Sequence, residues 1–208
     1  MTSRPCFVTV ACEGHVDNAV IGRVLEGHDV EAPTAHVTGG VVSLMRRLPG
    51  FIAAAHHSAW IVQRDLDQDA ACAPELLRDR ALAGPPGLNL IIAVRQTESW
   101  LLADRDRIAA FLGVRAGLVA EHPEMLASAR DHVVSLARRS RQRAIRDGMV
   151  PRESSGRAVG AEYAGRMIEF ASRHWQFDDA AQRAAPSLRT FVRRVQCFAR
   201  TGQWRRAD

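Results

Sequence analysis

Short apolar runs alternate along this chain with stretches whose apolar residues recur at helical spacing, and that alternation predicts the fold class. Cys6-Phe7-Val8-Thr9-Val10-Ala11 is apolar and β-branched, as suits a strand buried on both faces. Cys12-Glu13-Gly14 then turns the chain, with glycine allowing the tight bend. Val20, Ile21, Val24 and Leu25 share one helical face and predict a helix over 18–26, capped by Asp17 or Asn18 and stopped at Gly27. A brief strand is expected over 28–31. Thr38-Gly39-Gly40 opens a second helix carrying Val41, Val42, Leu44, Met45 and Leu48, broken at Pro49-Gly50 and resumed over 51–56. A strand over 58–63 follows, and Ala73-Pro74-Glu75 starts a third helix with proline in its first turn. Pro85-Pro86-Gly87 breaks the chain before Leu88-Asn89-Leu90-Ile91-Ile92-Ala93-Val94, the strongest strand signal in the sequence. A helix over 98–112, with Trp100, Leu101, Ile108, Phe111 and Leu112 to bury, ends at Gly113.

Four strands alternating with helices predict an α/β fold: a mainly parallel, Rossmann-like four-stranded sheet flanked by helices on both faces, over 1–115. Beyond it the pattern turns helical. Residues 123–146 read as an arginine-rich helix, 151–160 as a polar loop, and 161–173 and 186–200 as two further helices. With no long linker between the parts, 116–208 is expected to pack on the core as a helical C-terminal extension.

Composition adds limits. The 208 residues are 47% hydrophobic, enough to bury a real core. No run approaches the roughly 18 apolar residues of a bilayer span, and the first residues lack a signal-peptide apolar region, so a cytoplasmic protein that does not enter a membrane is expected. Cys6, Cys12, Cys72 and Cys197 lack metal-ligand spacing, and no disulfides are expected. All 28 basic residues are arginine, against 23 acidic ones, for a net charge of +5. That charge is compatible with nucleic-acid contact, and arginine's planar fork suits phosphates; a solvated surface accounts for it equally well. Nothing in the pattern fixes an oligomeric state.

Charge is packed most tightly at Asp65-Leu66-Asp67-Gln68-Asp69, directly after a strand. Like charges gathered in a partly desolvated place repel by several kcal/mol unless a cation or a proton offsets them. Glu13 follows the first strand and Glu98 the last, so acids occupy the C-terminal ends of three predicted strands, the edge where parallel sheets place ligands. Strand alternation would point Asp65 and Asp67 to one side and Leu66 to the other. Oxygen ligands without imidazole or thiolate suit Mg²⁺ or Mn²⁺, with Asp65, Asp67 and Glu98 as ligands and Glu13 as general acid or base. Asp17 and Asp69 are possible supporting residues, Asp69 also a helix starter. Each acid has an alternative as a turn or cap residue. Gly39-Gly40 could receive a phosphate or simply turn the chain, and His56-His57 could bind metal or lie at an exposed helix end. Arg95 is placed to steady a phosphate. Arg138, Arg139, Arg141 and Arg143 could hold nucleic-acid phosphates or serve as a surface for water or an acidic protein.

The order strand-Glu13-Gly14-x-x-Asp17, then strand-Asp65-x-Asp67, resembles the Toprim domain of topoisomerases, primases and overcoming-lysogenization-defect nucleases. Arg95-x-x-Glu98-x-Trp100-Leu101-Leu102-Ala103-Asp104 looks like the signature of a bacterial Toprim-like family, domain of unknown function 4276. Val150-Pro151, Gly160-x-x-Tyr163 and Pro186-Ser187-Leu188 extend that likeness over nearly the whole chain. The resemblance implies Mg²⁺-dependent phosphodiester chemistry, with Glu13 as acid/base, Asp65 and Asp67 on the metal, and Glu98 in the third acidic position. Gln96 stands where nuclease relatives carry the serine of Ser-x-Glu. It further implies a role in phage defence beside an ATPase partner. The competing expectation is a non-catalytic docking or nucleotide-sensing subunit, whose acids would be held by arginine ion pairs. A haloacid-type phosphatase would carry Asp-x-Asp on the first strand, where this chain has Glu13.

Overall fold

The computed structural model describes residues 6–79 and 84–204. Four strands, β1 (Cys6–Cys12), β2 (Val30–Val37), β3 (Trp60–Asp65) and β4 (Leu88–Ala93), form one sheet in the order β2-β1-β3-β4. Every neighbouring pair is parallel, so the fold is α/β and Rossmann-like. The chain steps outward from β1 to β2, then returns across β1 to β3 and β4. The reversal places a topological switch point between β1 and β3, where open α/β sheets leave a crevice at their C-terminal edge.

Alternation along the strands divides the core. Val8, Val10 and Cys12 of β1, Ile61 of β3 and Ile91 and Ala93 of β4 join the larger cluster, which includes Val20, Ile21, Val24 and Leu25 of α1 (His15–Glu26). Ala11, Trp60 and Val62 face the other way, onto Leu44, Leu48 and Phe51 of α2 (Val41–Ala54). Leu66, Ile92 and Leu76, the last on α3 (Ala73–Asp79), make a smaller third cluster. Both faces of the sheet are therefore covered along β3 and most of β1 and β4, as continuous apolar strands require, while the edge strand β2 stays largely exposed.

Several boundaries differ from the sequence pattern, each for a local reason. The first helix starts at His15 because Gly14 is its N-cap; Asp17 lies three residues in and accepts the Gly14 N–H at 2.7 Å. The second helix runs unbroken through Pro49. An interior proline costs about 3 kcal/mol, and burial of Leu44, Leu48 and Phe51 on one face, at roughly 1.5–3 kcal/mol each, offsets it. Strand β2 continues to Val37, well past 31, pairing Val37 with Cys12. Its Pro33 is tolerated because β2 is an edge strand and the register shifts between Phe7 and Thr9 opposite it.

The helix expected over 98–112 is two, α4 (Thr97–Leu102) and α5 (Arg105–Leu112), because Asp104 is the N-cap position of the second. The stretch over 123–146 likewise divides into α6 (Ala129–Arg138) and α7 (Arg143–Met149). Ser128 caps α6 by accepting the Asp131 N–H at 3.1 Å. Then come α8 (Tyr163–Arg173), a short α9 (Asp179–Ala184) not foreseen from sequence, and α10 (Pro186–Thr201). Tyr163, Met167 and Phe170 of α8 and Phe191 and Val195 of α10 belong to the same apolar cluster as α1, so the C-terminal helices share the core of the sheet. All four cysteines are free. Among the described residues, no helix is long and apolar enough to cross a membrane.

Candidate functional site at the C-terminal edge of the sheet

Glu13 leaves β1 and Asp65 ends β3, on the two sides of the switch point. They are joined directly: the Asp65 N–H donates to Glu13 Oε1 at 2.9 Å. The Glu13 carbonyl in turn accepts the N–H groups of Gly39 and Gly40, at 2.9 and 3.0 Å. Those two amides are thus spent on the protein itself, and the glycine pair is a turn rather than a phosphate cradle. With φ of 80° and 120°, both positions call for glycine.

Asp65 is buried, and its Oδ1 accepts from Thr97 N at 3.0 Å, Thr97 Oγ1 at 3.1 Å and Gln63 Nε2 at 3.2 Å. Burial, and then the charges of Asp17, Glu98, Glu13 and Asp67, push its pKa well above the usual carboxylate range. Asp17 is buried in the same group. Its pKa is raised to about 6, chiefly by burial, with the hydrogen bonds from Thr97 and Gly14 opposing the shift. Glu13, half-buried, is raised by burial and by the charges of Asp17 and Asp67, against the Asp65 N–H that lowers it.

Asp67 reaches this group by a route that strand alternation does not supply. The strand stops at Asp65, and Asp67 sits in a left-handed turn with φ of 46°. Its N–H donates to the Arg95 carbonyl at 2.8 Å, and its Oδ1 accepts Gln96 Nε2 at 3.1 Å. Arg95 holds the loop that follows: Nη1 donates to the carbonyls of Asp67 and Ala70, both at 3.0 Å, and Nη2 to Ala71 at 3.4 Å. These bonds direct the guanidinium to the acidic loop. The Val94–Arg95 peptide is cis.

Glu98 is buried and satisfied. Its Oε1 accepts Arg130 Nε at 3.1 Å and the Tyr163 hydroxyl at 3.1 Å. The Tyr163 pKa is pushed up by burial and by the Glu98 charge, while that of the half-buried Arg130, against its partial desolvation, is raised by that same charge. Asp69 belongs elsewhere: it is paired with Arg64, a fully buried arginine whose Nε donates to the Asp65 carbonyl at 3.0 Å. Nor does Asp69 start the next helix, where Glu75 Oε2 takes the Ala71 N–H at 2.8 Å.

Arg138, Arg139, Arg141 and Arg143 are all exposed, at the end of α6 and the start of α7. The opposite end of α6 meets the acids through Arg130, so Arg138 lies about 12 Å further along the helix at ~1.5 Å per residue. Arg143 is paired with Asp147 at 3.1 Å. His56 and His57 lie exposed just beyond α2.

Sequence reading missed Gln63, Gln96, Thr97, Arg130 and Tyr163 as partners of the acids. Gln96 and Tyr163 stand in the resembled motifs with no partner assigned to them, and Ser128-Ala129-Arg130-Asp131 reads as a capped helix start. Among the described residues, none of Glu13, Asp17, Asp65 and Asp67 makes an ion pair. No three His, Cys, Asp or Glu side chains there are drawn together as a ready metal-ligand set. The donor chemistry nevertheless fits a hard cation, because carboxylates outside any ion pair offer oxygens to one, and the raised Glu13, Asp17 and Asp65 would give up protons in exchange. No family model, curated protein or solved structure matches the chain.

Proposed function

We propose that this chain is a Mg²⁺- or Mn²⁺-dependent phosphodiesterase of Toprim type that acts on nucleic acid. The observation that carries the reading is the joining of Glu13 and Asp65 across the switch point, beside Asp17 and Asp67, with none of the four in an ion pair among the described residues. Asp65 and Asp67 would hold the cation, which when bound would polarise a phosphoryl oxygen and acidify a water. Thr97 and Gln63 fix the Asp65 carboxylate, and Glu13, with Oε1 on the Asp65 N–H, has Oε2 with which to take or give a proton. Glu98, in the third acidic position of the resembled motif, is held by Arg130 and Tyr163, and a second cation would compete with that ion pair. The exposed arginines from 138 to 143 offer phosphate contacts that do not read sequence. The resemblance adds a part in phage defence and an ATPase partner, and a cytoplasmic setting is proposed beside them.

The Glu98–Arg130 pair favours a second reading, a non-catalytic docking or nucleotide-sensing subunit of an ATPase-containing complex. Two measurements separate them. Cleavage of single- and double-stranded DNA and RNA is assayed with Mg²⁺ or Mn²⁺, with and without the ATPase partner, for the wild type and Asp67→Ala. Equal inertness of both in every condition would sink the phosphodiesterase. Calorimetric titration with Mn²⁺ should show heat that Asp65→Asn abolishes, and a scaffold would give none.

A further inference from the structure

Gln96 is the side chain through which the C-terminal helices reach the acidic loop. It is buried, in extended backbone at the N-cap of α4, and both ends of its amide are engaged. Nε2 donates to Asp67 Oδ1 at 3.1 Å. Oε1 accepts the Arg130 N–H at 3.1 Å and the Ser128 hydroxyl at 3.4 Å, both groups at the start of α6. Asp67 itself lies beyond the strand in a left-handed turn, where no sheet ladder fixes its orientation. Of the side chains around it, Gln96 alone donates to its carboxylate among the described residues.

We propose that Gln96 is a positioning residue for the cation site: fixed by the α6 N-terminus on one side, it holds Asp67 Oδ1 on the other, which would leave Oδ2 to the ion. The proposal rests on Asp65 and Asp67 being the cation's ligands. A neutral amide suits the task, since its N–H bond to an anionic oxygen is charge-assisted and adds no positive charge to repel a cation. An arginine or lysine there would neutralise the ligand. The arrangement also lets a helix 34 residues later in the chain set the geometry of the acidic loop, so whatever displaces α6 weakens the site. Hydrogen-bonded partners of metal ligands typically contribute 10–100-fold to affinity.

The two halves of the amide are separable by substitution. Gln96→Met keeps the length and removes both bonds; Gln96→Glu keeps an acceptor for the Arg130 N–H and loses the donor to Asp67. Mn²⁺ binding to the full chain is read by electron paramagnetic resonance, and protection of the Arg130 amide by hydrogen exchange, in the wild type, D65N, Q96M and Q96E. We expect saturable binding in the wild type that D65N removes, and a 10–100-fold loss of affinity in both Gln96 variants. Arg130 amide protection should survive in Q96E and fall in Q96M. Wild-type affinity in Q96M, or affinity kept or raised in Q96E, overturns the positioning role and leaves Gln96 a structural tie to α6. Absence of D65N-sensitive binding in the wild type overturns the cation reading itself, and this proposal with it.

Discussion

Replacing Asp17 with asparagine in the metal-free protein should stabilise it at neutral and alkaline pH, although the residue is buried and hydrogen-bonded. The folded-state pKa of Asp17 is raised from 3.8 to about 6. A carboxyl raised on folding favours the protonated folded state: its contribution is fully present below pH ~4 and is lost as pH rises through about 6. At ~1.36 kcal/mol per pH unit, that loss is about 3 kcal/mol. Asparagine keeps an oxygen for the Gly14 N–H, so the helix start survives, and it removes the ionisable group. It also removes one of the charges raising Asp65, which lowers the cost of ionising that neighbour. Urea unfolding from pH 4 to 8 in EDTA should therefore show wild-type stability falling with pH and a flatter curve for D17N. The two curves should separate by up to about 3 kcal/mol at pH 8 in favour of the variant. If the acids hold a cation as proposed, saturating Mn²⁺ should restore the wild type at high pH by replacing the lost protons. A D17N protein as unstable as or less stable than the wild type at pH 8, with the same slope, would refute the claim that Asp17 sits in an uncompensated acidic group.

Three further outcomes are expected. Tyr163→Phe removes one of two groups on the buried Glu98 and should lower stability by about 1–3 kcal/mol in urea melts; an unchanged midpoint would mean that Arg130 suffices alone. Arg130→Met should cost about 3 kcal/mol, because it leaves a buried carboxylate without its cation. Adding Glu98→Gln to it should recover part of the loss, and non-recovery would show that the arginine matters for packing instead. Gly40→Ala meets no steric neighbour, so its cost, about 1–3 kcal/mol by thermal unfolding, comes from backbone at φ 120° alone; a neutral effect would show that the turn has a relaxed alternative.

The sequence by itself determined the sheet and most of its helices, since a strand buried on both faces and a helix with one dry face each leave a local, periodic record. It also marked which acids follow strands: Glu13, Asp65 and Asp67 stand at the edge where a parallel sheet brings strand ends together. The tertiary structure decided what those acids meet. Asp67 turns inward through a left-handed residue, which the period-two pattern of an extended strand cannot encode. Asp17 reads as a helix cap and proves to be a buried member of the group, because burial depends on the helices that later cover α1. Glu98 finds Arg130 and Tyr163 from 32 and 65 residues away, and Asp69 is drawn to Arg64. The partners of Glu98 are fixed by the packing of distant helices on one core, and the Arg64–Asp69 pair by the turn after β3; no spacing along the chain records either.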